Sequence, residues 1–86
     1  MPAISSFYGI LIQMHYNDHA PPHFHAAYAE YACQVNIRTL KIIHGKFPRR
    51  AFALVKAWAE QHQSELLENW ELCRKHIPPR TIQPLR

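Results

Sequence analysis

The chain has 86 residues, 48% of them hydrophobic and 12% aromatic, and a formal charge of +4 with its histidines neutral. That length excludes two separate cores, and that composition excludes intrinsic disorder. The cationic excess suits RNA, DNA or an acidic protein as partner, and a domain this small also gains stability from a homodimer contact.

No apolar run reaches membrane-spanning length, so no membrane contact is expected. The start, "MPAISSF", lacks the basic and apolar regions of a signal peptide, which predicts a cytoplasmic protein. Cys33 and Cys73 form no CxxC pair and read as buried free thiols.

In chain order, "YGILIQMHY" (Tyr8 to Tyr16) is rich in strand formers. Alternation puts Ile10, Ile12 and Met14 on one face and Leu11, Gln13 and His15 on the other. "NDHAPP" is turn chemistry, because Asn17 and Asp18 bond local backbone while Pro21 and Pro22 offer no ladder donors. "HFHAAYAEYACQVNI" reads as a hairpin turning at Ala29-Glu30. Tyr28 then faces Tyr31, Ala26 faces Cys33, Phe24 faces Val35, His25 faces Gln34 and His23 faces Asn36. One face of that hairpin is apolar and the other polar, so the register is self-consistent. "LKIIHG" (Leu40 to Gly45) is a fourth short strand.

Pro48 suits the opening of a helix, and Ala51, Leu54, Val55, Trp58, Ala59 and His62 recur at helical spacing. After a break near Gln63-Ser64, a second helix follows with Leu66, Leu67, Trp70, Cys73 and Ile77 on its apolar side and Ser64 as N-cap. Pro78-Pro79 ends it. The expected fold is α+β: a four-stranded, mostly antiparallel sheet in the order β-β-β-β-α-α, with two C-terminal helices packed on one face. Residues 1–77 form the domain and residues 78–86 a frayed tail.

The helices cover the apolar side of that sheet. The other side then carries His15, His23, His25, Gln34, Asn36 and Arg38, exposed to solvent. His19, His23 and His25 have the spacing H-x3-H-x-H. Imidazoles two apart on a strand can share an ion, and a preceding turn can add a third ligand. This makes His19, His23 and His25 candidate ligands for zinc, nickel or copper, with His15 or Asp18 to complete the site. The same residues suit proton transfer, with His23 or His25 as base and Arg38 or Arg49 as phosphate-binding cation. Arg49 and Arg50 sit at a helix start, where the helix dipole disfavours cations and an anion would relieve the conflict. The bland alternative is a solvated polar strand whose face serves as a partner surface.

The opening "MPAIS", the stretch "DHAPPHFHA" and the later "ENWEL" resemble the small bacterial family catalogued as domain of unknown function 4160, over nearly the whole chain. The resemblance implies a short stand-alone protein with no assigned activity. Such proteins are often encoded beside another small protein, an arrangement associated with toxin–antitoxin pairs. The motif falls on Asp18, His19, Pro21, Pro22, His23, His25 and Tyr28, and on Asn69 and Trp70; Ala29 stands where a hairpin glycine is expected.

The leading expectation is a cytoplasmic binding module, as a toxin–antitoxin component, with a small protein encoded nearby as partner. Its binding residues would be His15, Asp18, His19, His23, His25, Asn36, Arg38, Arg49 and Arg50. Two alternatives stand beside it. One is a metal-independent endoribonuclease-like enzyme using His23, His25 and Arg38. The other is a metal-binding protein using His19, His23 and His25.

Overall fold

A computed structural model describes residues 2–86. Its elements run β1 (Ala3–Phe7), β2 (Ile10–Gln13), β3 (His23–Tyr28), β4 (Tyr31–Asn36), β5 (Ile42–Lys46), α1 (Arg49–Gln61) and α2 (Gln63–Arg74). The strands form one five-stranded sheet in chain order, with every neighbouring pair antiparallel.

The expected four-stranded sheet is therefore corrected to five, and the extra strand is β1. Tyr8 (φ 50°) and Gly9 (φ 79°) both occupy the left-handed region, as a two-residue type I′ hairpin turn requires. They fold Ala3–Phe7 back onto Ile10–Gln13, where the sequence suggested one continuous strand from Tyr8. A bulge between Ala3 and Ser5 hides β1 from a simple alternation test, because the extra residue shifts the side-chain phase. Ile4 and Phe7 both reach the core despite their odd spacing.

The central hairpin keeps the expected register, including Phe24 with Val35 and His25 with Gln34. Ala29 supplies the turn with φ 52°, a conformation an alanine adopts at some cost. At the far edge, Leu40 takes φ 58° and is buried, and the last strand begins at Ile42. The second helix starts earlier than expected: His62 is its N-cap residue and Ser64 lies inside the first turn.

The core lies between the sheet and the two helices. Ile10, Ile12, Met14, Phe24, Val35 and Ile37 from the sheet side meet Val55, Trp58, Leu66 and Trp70 from the helices. Phe7 and Phe24 pack on Trp58 with ring centroids 5.4 and 5.8 Å away. The final segment has no helix or strand, yet it packs against the domain. Ile82 is buried and its N–H donates to Ile4 O at 2.7 Å. Trp58 Nε1 donates to Gln83 O, and the buried Asn69 side chain exchanges two hydrogen bonds of 2.9 Å with the Arg80 backbone. Burial of both amide ends is stable only with such partners.

Gly45 has φ +87°, and a Cβ there would meet Ala32 O at 2.3 Å and Cys33 Cα at 2.9 Å. Only glycine lets β5 approach β4 this closely. Gly45→Ala is expected to cost about 1–3 kcal/mol of stability through strain and steric conflict. A urea denaturation midpoint unchanged from wild type would contradict that close approach.

Candidate metal centre

Residues 14–22 form an irregular segment that folds back over one end of the sheet. Asn17 N–H donates to Cys73 O at 3.2 Å, and the Tyr16 and His76 rings stack at 6.2 Å, so the end of α2 and the turn after it hold the segment. The segment delivers Asp18 onto β3. Its Oδ1 accepts the His19 backbone N–H at 2.8 Å, a local turn bond of the kind short acidic side chains favour. Its Oδ2 accepts from His23 Nε2 at 3.0 Å and from His25 Nε2 at 3.1 Å. His15 Nδ1 lies 3.9 Å from the same oxygen.

His15 enters from the residues just after β2, and its ring stacks on that of His25 with centroids 3.6 Å apart and planes at 4°. His15, Asp18 and His25 each offer a donor atom, and these atoms lie within 4.8 Å of one another. This is a two-histidine, one-carboxylate set, partly shielded from water: the side chains are 29%, 20% and 18% exposed.

His23 plays a different part. It is buried and packs on Trp70 with centroids 5.1 Å apart. The expectation that it faces solvent is corrected: alternation puts its ring on the side of His25, but segment 14–22 and α2 close over that end of the strand. Its Nδ1 donates to Pro21 O at 2.7 Å and its Nε2 lies 3.0 Å from Asp18 Oδ2. Held at both ring nitrogens, it fixes the carboxylate in place.

The other sequence candidates are distributed around the molecule. His19 is exposed and contributes its backbone, with its ring outside the donor set. Asn36 Oδ1 accepts the backbone N–H groups of Arg38 and Thr39, which shapes the turn after β4. Arg38 and Arg49 are exposed. Arg50 borders a separate cavity of about 170 Å³ with Tyr8, Tyr28 and Leu54.

The larger cavity, about 270 Å³, lies on the open face of the sheet beside the donor set. His15 and His25 form one side of it, Gln13, Gln34 and His44 the others, and Ala27 and Ala32 line it between them. The sequence reading had singled out neither Gln13 nor His44. The signal that finds both is cross-strand register: Gln13 faces His25, His25 faces Gln34, and Gln34 faces His44.

Burial, then the neighbouring His25, holds the His15 pKa below its ordinary value of 6.5, against the pull of Asp18 in the other direction. Burial alone would raise Asp18. Hydrogen bonds from His25 and the His19 backbone, with His23, overcome that and hold it below 3.8. Near neutral pH the site thus presents a neutral imidazole and an ionised carboxylate, the forms that ligate metals. Both shifts make acid destabilising. His15 binds its proton more weakly in the folded than in the unfolded chain, so acidification below 6.5 favours unfolding. Asp18 contributes stability that is complete above 3.8 and is lost as pH falls through its folded value. The urea midpoint is expected to fall in both ranges, and His15→Gln is expected to reduce only the upper decline. A midpoint flat from neutral pH down to 3.8 would contradict the assignment.

No helix among the described residues is long and apolar enough to cross a membrane. No curated protein and no solved structure matches the chain. The model of one family, described as a domain of unknown function (DUF4160), matches residues 9–71, a span that contains the donor set, the cavity and both tryptophans. The chain belongs to the DUF4160 family.

Proposed function

We propose that this protein binds a divalent transition metal through His15 Nδ1, the Asp18 carboxylate and His25 Nε2. The observation that carries the reading is the convergence of three donor atoms of suitable type within 4.8 Å of one another. A tetrahedral ion with bonds of about 2.0–2.1 Å separates its ligand atoms by about 3.4 Å. The distances of 3.1 Å from Asp18 Oδ2 to His25 and 3.9 Å to His15 bracket that value, and one of the two stacked imidazoles tilts out of its parallel stack for both in-plane lone pairs to meet the ion. Two imidazoles and a carboxylate suit zinc, and they also suit iron, cobalt or nickel. Three protein ligands leave coordination positions for water or a small molecule, as in reactive rather than purely structural sites. His23 would orient Asp18, the role that outer partners play around metal ligands.

This set differs from the H-x3-H-x-H triplet by exchanging His19 and His23 for His15 and Asp18. The toxin–antitoxin, RNA-cleavage and homodimer readings draw no support from the donor set. The arginines that the binding and RNA-cleavage readings invoke, Arg38, Arg49 and Arg50, are not among the residues that line its cavity.

Isothermal titration of tag-free protein with zinc or cobalt is expected to saturate near one equivalent. His23→Ala is expected to weaken binding about 10–100-fold, the usual cost of losing an outer partner. His15→Ala, Asp18→Ala and His25→Ala are expected to cost more, and His19→Ala to cost nothing. Binding unchanged by Asp18→Ala and His25→Ala in folded protein, or abolished by His19→Ala, would overturn the assignment.

A further inference from the structure

The donor set does not explain the cavity beside it. One row of side chains crosses the open face from β2 to β5: Gln13, His25, Gln34 and His44. The adjoining row holds Leu11, Ala27, Ala32 and Lys46. The first row is polar and centred on a proposed ligand. The second begins with an apolar stretch that is low at Ala27 and Ala32, and those two methyls leave the space of about 270 Å³. Among the described residues, the side chains of Gln13, Gln34 and His44 make no intramolecular hydrogen bond. Gln13 and Gln34 are nevertheless half-buried. Their amides have donor capacity to spare, directed at the space the proposed ion adjoins.

Charge narrows the occupant. A divalent ion with one carboxylate and two neutral imidazoles leaves one positive charge. Among the described residues no strand carries an acidic side chain: Glu30 is in the β3–β4 turn and the other glutamates are in the helices. A single negative charge therefore completes the balance at the ion, with Lys46 exposed at the far end of the adjoining row. Neutral amides and an imidazole line the cavity, where a phosphate dianion would call for arginine or lysine forks. The alanine methyls call for an apolar body rather than a second polar group.

We propose that the cavity binds a small monocarboxylate. Its carboxylate ligates the ion and accepts hydrogen bonds from the Gln34 amide and the His44 ring, while its apolar body lies over Ala27 and Ala32. This rests on the metal site proposed above.

Cobalt-loaded protein tests it, because the visible absorption of the ion reports changes in its ligands. Benzoate is expected to shift the spectrum saturably and at lower concentration than acetate, since only benzoate covers the alanines. Gln34→Ala is expected to weaken benzoate about tenfold, the effect of losing one hydrogen bond to a charged group. Ala32→Leu, at an exposed position, is expected to block benzoate by filling the floor; both variants keep wild-type cobalt affinity. Three outcomes overturn the proposal with the metal site intact: a cobalt spectrum indifferent to benzoate, inorganic phosphate acting at lower concentration than benzoate, or both variants binding benzoate as wild type does. Absence of a protein-bound cobalt spectrum overturns the metal reading itself, and this proposal with it.

Discussion

A single carboxylate oxygen, Oδ2 of Asp18, accepts hydrogen bonds from two histidine rings on β3 while Oδ1 closes a turn on the His19 backbone. Much of the site follows from that contact. Residues 14–22 have few ladder bonds of their own, and a half-buried carboxylate is costly to desolvate unless several donors meet it. Here three do. The charge therefore holds the segment against β3 on one side while Asn17 and Tyr16 engage the end of α2 and the turn after it on the other. The burial of His23 and the stacking of His15 on His25 both depend on this closure. The same oxygen also sets a competition. An imidazole nitrogen cannot both donate its proton to Asp18 and ligate an ion, so metal binding would exchange the His25 hydrogen bond for a coordinate bond and open the parallel stack of His15 on His25.

The sheet supplies the precision around that contact. His25, Gln34 and His44 stand on neighbouring strands in ladder register, so their spacing is set by backbone pairing rather than by loop conformation. A bulge in β5 between the residues facing Gln34 and Val35 leaves Ile43 as the extra residue, and Gly45 allows the close approach that follows. Bulges commonly re-aim side chains at the rims of sheets, and this one keeps His44 in the polar row while Gly45 and Lys46 still pair with β4. At the opposite edge, the bond from Ile82 to Ile4 ties the C-terminal segment to β1 and covers part of an otherwise free edge.

The parts of this structure that alternation governs could be read from the sequence. Phe24, Ala26, Val35 and Cys33 differ in kind from His25, Gln34 and Ala27, and a two-residue period separates them in only one register. The faces of Ile10, Ile12 and Met14 followed by the same logic. β1 escaped because its bulge breaks the period and because Ser5 and Ser6 dilute its apolar signal. The burial of His23 escaped because alternation says which side of a sheet a residue occupies and not what closes over that side. Each member of the donor set could be named from the sequence, His25 as a ligand and His15 or Asp18 to complete the site. The path of segment 14–22, which brings in both and leaves the His19 ring outside, could not. The anchoring of the tail by Asn69 depends on an amide facing backbone eleven residues farther on, a contact with no local sequence pattern.

The distribution of charge decides between broad kinds of ligand. The chain has a net charge of +4, which favours a polyanion when read as a total. Position changes that reading. Arg38, Arg49 and Arg50 are exposed and apart from the lining of the main cavity, and Arg74 is engaged with Glu71 on α2. The cavity itself presents imidazoles, amides and methyl groups around one carboxylate. A surface for nucleic acid needs cations spread along the path of the phosphates. A concave site with a few convergent, mostly neutral polar groups suits a compact ligand, and a carboxylate shared by histidines suits an ion. The excess of lysine and arginine thus lies outside the lining of that cavity, where the net charge of the chain is least informative.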